Sequence, residues 1–83
     1  MKSFTIELVR LEYNPKGYME TTMIEKTLPT LTKAMNYCLT HRSKLAENEA
    51  YNIFDDEKSN RIGFIDKTTV QLTYKGESLW LKN

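Results

Sequence analysis

Asn14-Pro15-Lys16-Gly17 is the segment that most limits what this chain can become. Asn suits the first position of a type I turn, Pro presets φ at the second, and Gly supplies the positive φ that closes the loop. On both sides the residues alternate and are rich in β-branched and aromatic types, which reads as strand. The segment therefore predicts a hairpin of strands Lys2–Tyr13 and Tyr18–Lys26, with Tyr13 opposite Tyr18. Counting back from that pair sets Leu8 against Met23 and Glu12 against Met19. Phe4, Ile6 and Leu8 then share one side of the ribbon, while Val9, Leu11, Tyr13, Tyr18 and Ile24 share the other. A ribbon covered on one face should be polar on its other face, and this one is apolar on both.

Only one stretch has helical periodicity. Pro29 favours an extended residue before it, and Thr30 is a suitable N-cap. The pattern runs over Thr30–Asn48. Advancing about 100° per residue gathers Leu31, Ala34, Met35, Cys38, Leu39, Leu45 and Ala46 into an arc of roughly 140°. Arg42 falls inside that arc. Either its stem lies over the sheet edge with the charge in water, or its guanidinium pairs with a carboxylate at the core margin.

Beyond the helix, Ala50–Asp55 reads as a third strand. Asp55–Asn60 is a polar turn, and Arg61–Ile65 a fourth strand in which Ile62 and Phe64 alternate. Thr68–Tyr74 is a fifth strand, with Val70, Leu72 and Tyr74 on one face. Lys75-Gly76 makes a tight turn into a short sixth, Ser78–Leu81. The order ββαββββ predicts a single α+β domain over 1–83, with an antiparallel sheet of five to six strands and the one helix packed across one face.

Eighty-three residues suffice for one domain, which buries roughly 60–65% of its unfolded surface. Twelve basic and eleven acidic side chains nearly cancel and are interspersed. That lowers the weight of nucleic-acid binding, which usually shows a basic excess. The lone Cys38 cannot close an intramolecular disulfide or build a Cys-based zinc site. With no apolar run near the ~18–20 residues of a membrane span and an alternating N-terminus unlike a signal peptide, the expected location is cytoplasmic, or the host cytoplasm.

Several groups invite a chemical reading. Cys38 and His41 are helical neighbours, a spacing that can generate a thiolate, yet Cys38 lies in the apolar arc and no oxyanion loop or phosphate cradle accompanies it. Asp55, Asp56, Glu57 and Asp66 could meet a hard cation, but their spacing fits no EF-hand loop. No catalytic residue, cofactor or metal site is expected, and the chain does not read as an enzyme. A flank of Lys33, Tyr37, His41 and Lys44, extended by Arg42, could contact a phosphate backbone and stack on a base.

The layout resembles small accessory proteins of bacteriophages and mobile elements: a hairpin, then a helix opening Leu31-Thr32-Lys33-Ala34-Met35, then Tyr51–Asp56 and Arg61-Ile62-Gly63-Phe64-Ile65. That group includes host-takeover factors and inhibitors of defence systems. The resemblance implies a class of single-domain proteins, often homodimers, that act by binding a larger host macromolecule. The expected function is accordingly a non-catalytic interaction module, an inhibitor or regulator that blocks a host protein or protein–nucleic-acid complex sterically. Tyr, Trp and Arg dominate interface energetics, so the expected contact residues are Val9, Leu11, Tyr13 and Tyr18, with Arg10, Lys16 and Trp80. The alternative is a small RNA- or DNA-binding protein using the Lys33–Lys44 flank.

Overall fold

A computed structural model describes the backbone of residues 2–74 and 77–81 and the side chains of residues 2–73. Its strands are β1 (Phe4–Asn14), β2 (Gly17–Leu28), β3 (Glu49–Asp55), β4 (Asn60–Ile65), β5 (Val70–Tyr74) and β6 (Glu77–Leu81), with one helix, α1 (Leu31–His41), between β2 and β3. All the pairings are antiparallel, and the six strands form one sheet in the order β2-β1-β3-β4-β5-β6. The fold is α+β, with the helix on one face of the sheet.

The hairpin forms in the expected register. Tyr13 pairs with Tyr18, Asn14 with Gly17, and Leu8 with Met23. Gly17 adopts φ 135°, and the Asn14 side chain accepts a hydrogen bond from the Lys16 amide at 2.9 Å. A β-bulge at Glu25 shifts the ladder by one residue, so that Lys26 meets Ile6 and Leu28 meets Phe4. This lets Leu28 pack against the core, where an unbroken alternation would turn it away.

Opposed residues on neighbouring strands share a face. Phe4, Ile6 and Leu8 on β1 therefore align with Asp55, Ile53 and Tyr51 on β3, and Ile65 and Val70 continue the row across β4 and β5. Helix α1 packs on β1 and β2 over this face, contributing Ala34, Met35 and Cys38 to the core. Its start is as expected: Thr30 is extended, and its hydroxyl accepts from the Lys33 amide at 3.1 Å.

Its end differs. The α-helix stops at His41, a 3-10 turn covers Arg42–Lys44, and Leu45 is extended. With no Gly or Pro at hand, one local and one tertiary side-chain contact end it. Glu49 accepts from the Ala46 amide at 2.8 Å, and Asn48 donates to the Leu11 carbonyl at 2.7 Å. Leu45 still reaches the core, but Ala46 is exposed and Leu39 is 37% exposed, so both leave the buried arc.

Two further departures have local causes. A bulge opposite Ile53/Phe54 inserts Ile62 as an extra residue in β4. Ile62 is thus buried in the core while Phe64, opposite Asn52, faces the other side. The fifth strand begins at Val70 instead of Thr68. The Asp66 carboxylate accepts from the Thr68 and Thr69 amides at 2.9 and 2.7 Å and holds them in a turn.

Candidate partner-binding surface

The pairing of β1 with β3 ends at Arg10–Glu49. Two more links hold β1 there: the Leu11 amide donates to the Asn48 carbonyl at 2.9 Å, and the Asn48 side chain donates to the Leu11 carbonyl at 2.7 Å. Past this point the hairpin tip is an arm flanked only by itself, and every residue from Glu12 through the tip and back along β2 to Thr27 is exposed. Large apolar side chains remain in water on the tip, Tyr13 (76%), Tyr18 (67%) and Met19, and farther along β2, Met23 and Ile24 (71%). The Tyr13 and Tyr18 rings meet at 6.1 Å. An aromatic pair held on a two-stranded ribbon loses little side-chain freedom when a partner covers it.

On the face away from α1, Val9, Leu11, Ala50 and Phe64 floor a groove of about 250 Å³, with Glu20, Glu47, Asp66 and Arg61 around it. That is below the ~300–1,000 Å³ usual for small-molecule sites. The Arg61 guanidinium carbon lies 5.9 Å from the Phe64 ring centroid, and its Nη1 donates weakly to Asn52 at 3.4 Å. An apolar floor with a mixed-charge rim is the anatomy of a protein contact.

The expected contact residues separate. Val9 and Leu11 are half-buried in the groove, and Tyr13 and Tyr18 stand on the arm on the same face. Lys16 is exposed in the turn. Arg10 points to the helix side and pairs with Glu49 at 2.8 Å. The backbone Ala46 amide and then Arg10 hold the Glu49 carboxyl below its usual value. The Trp80 side chain lies outside the described residues. Arg61 and Phe64 join the groove from outside the expected contact set. Strict alternation sets Phe64 on the same face as Ile62, and the bulge at Ile62 is what turns it to the outer face.

The helix flank is already engaged. The Tyr37 hydroxyl donates to Glu25 at 2.6 Å. His41 stacks on the Tyr37 ring with centroids 4.2 Å apart, and the Lys26 amine lies 5.3 Å from the ring centroid. Lys33 and Lys44 are exposed. Arg42 is corrected: it is 8% exposed, so it cannot extend the flank. Its Nε donates to the Asp66 carbonyl at 3.1 Å, while Nη1 and Nη2 are buried without partners. The arrangement leaves Tyr37 little freedom to stack on a base.

Cys38 is fully buried, and burial pushes its thiol up to about 12, the reverse of what a nucleophile requires. His41 Nδ1 donates to the Tyr37 carbonyl at 2.9 Å. Asp56 accepts from the Ser3 and Thr5 hydroxyls at 2.7 and 2.8 Å, and Asp55 from the Glu57 amide. Among the described residues no cluster of three or more His, Cys, Asp or Glu is placed to hold a metal, and no helix is long and apolar enough to cross a membrane. No family model, curated protein or solved structure matches the chain.

Proposed function

We propose that this chain is a non-catalytic protein-binding module. It engages a larger host macromolecule through the hairpin arm and the outer-face groove, and acts by steric occlusion as an inhibitor or regulator of the phage-accessory type. The observation that carries the reading is the arm itself. Tyr13 and Tyr18, 76% and 67% exposed, project on the same face as the Val9–Leu11 groove floor, giving one continuous apolar surface with charged neighbours. The nucleic-acid reading has less support, because Tyr37 is committed to Glu25 and His41 and Arg42 is buried.

The test is affinity capture from a bacterial lysate with the wild type beside Tyr13→Ala and Leu11→Glu variants of unchanged circular dichroism. A specific partner should be held by the wild type and lost by both variants. A partner retained equally by all three places the contact elsewhere. Binding to generic RNA that falls steeply with salt would favour the helix flank instead.

A further inference from the structure

Strand β2 ends the sheet, so one of its edges carries backbone N–H and C=O groups that no other strand meets. Natural edges are blunted by charge, Pro or bulges, yet the run Tyr18–Ile24 holds one charged residue, Glu20, and no Pro. It does hold four of the large exposed apolar side chains. Their placement is symmetric about Thr21: Met19 and Met23 lie two residues either side, and Tyr18 and Ile24 three.

We infer that two copies of this chain pair antiparallel along the free edge of β2, on a two-fold axis through Thr21, to make one continuous twelve-stranded sheet. The two-fold runs perpendicular to the sheet, so opposed residues share a face, and only registers centred on a residue satisfy this. Centred on Thr21, each Met19 meets the other copy's Met23 on the helix side. Each Tyr18 meets Ile24 on the outer side, beside Tyr13, and Glu20 faces Thr22. Other centres lose this match. A centre at Glu20 opposes two carboxylates, and one at Thr22 sets Glu20 against Ile24. A centre at Met23 leaves Thr21 against Glu25. The bulge at Glu25 limits the pairing to this run, since it breaks the alternation just past Ile24.

With aromatic rings worth 150–250 Å² and Met or Ile somewhat less, the eight side chains of two copies expose on the order of 1,000 Å², of which edge pairing covers a part, so the dimer is weak and its backbone ladder carries much of the association. This pairing shares Tyr18 with the outer-face partner surface but leaves the Val9–Leu11 groove floor free, so a substitution at Leu11 separates the two.

A cysteine placed on the two-fold meets itself; one placed beside it does not. Thr21→Cys should oxidise in air to a covalent dimer about tenfold faster than Glu20→Cys or Thr22→Cys, because only residue 21 opposes its own copy at bridging distance. Buried Cys38 is a silent background. Light scattering of the wild type at high micromolar concentration should approach twice 9.8 kDa, and Thr21→Glu should return it to one copy with unchanged circular dichroism. Leu11→Glu should leave the Thr21 cross-link intact even where it abolishes partner capture. Equal rates at the three positions, or a wild type of single-copy mass throughout, overturn the inference. If that monomer loses partner capture on Thr21→Glu, the edge receives a strand from the partner instead.

Discussion

The Tyr37 hydroxyl donates to the Glu25 carboxylate at 2.6 Å, and so ties the middle of the helix to the bulge in β2. The bond is made possible by the bulge, which adds a residue to β2 at the point where α1 crosses. It also holds the phenol protonated. The Glu25 hydrogen bond, then desolvation, raise Tyr37 from 10.0 to about 12, and burial raises Cys38 from 9.0 to about 12.

Both groups are more basic folded than unfolded, so their contribution to stability is complete below pH 9 and is lost as pH rises through 12. Urea midpoints should be level between pH 7 and 9 and fall above that. Cys38→Ala should flatten the first part of the fall. In absorbance titration the Tyr37 and Tyr51 phenols should ionise late, Tyr37 held by Glu25 and Tyr51 raised by burial. A decline that begins below pH 8 would require another titrating group.

Gly63 lies opposite Ile53, where an added Cβ would come within 3.2 Å of two Ile53 side-chain carbons. Ile53 is fully buried and has no room to retreat. Gly63→Val should cost about 1–3 kcal/mol by overpacking, measured by urea unfolding. Ile53→Val in the same chain should recover part of that loss, since it shortens the side chain in the way.

Arg42 is buried with one hydrogen bond made and two terminal nitrogens without partners. An unsatisfied buried polar group costs ~1–3 kcal/mol, against ~1 kcal/mol for the bond that is made. Arg42→Met keeps most of the stem and should stabilise the fold by about 1 kcal/mol. Arg42→Ala discards the stem as well and should destabilise it. A raised urea midpoint for Met and a lowered one for Ala would separate packing from charge.

Thr30 and Glu49 fix the two ends of the helical segment. Thr30→Ala removes the hydroxyl that accepts from Lys33 and should cost ~1 kcal/mol. Glu49→Ala frees the Ala46 amide and breaks the contact to Arg10. Hydrogen exchange should then quicken at Ala46 while the amides of α1 stay protected. Because Glu49 titrates low, the wild type should lose this protection only as pH falls below about 4, where an ordinary carboxyl becomes protonated.

The sequence reveals those features whose cause is local. Asn14–Gly17 carries its own turn chemistry, and the hairpin register followed from it. Thr30 caps by a contact three residues away. The features that were not legible depend on residues distant in the chain. The helix stops where Asn48 is held to Leu11 on the distant hairpin. The bulges at Glu25 and Ile62 appear only when strands are aligned, and the second moves Phe64 to the outer face. Arg42 was visible as an anomaly, but which carbonyl it would find was not. The hairpin's second apolar face could be read before folding because alternation alone defines it.

The order β2-β1-β3-β4-β5-β6 has a kinetic meaning. Every strand pairs with its chain neighbour except at one place, where β1 meets β3 across the helix. The domain is therefore two locally closing ribbons, a hairpin and a four-stranded meander, sewn along a single seam. Loop-closure entropy is concentrated at that seam. Ile6 against Ile53 lies one pair from its centre and is fully buried, so the folding barrier should be most sensitive to mutation there, and least sensitive on the long arm.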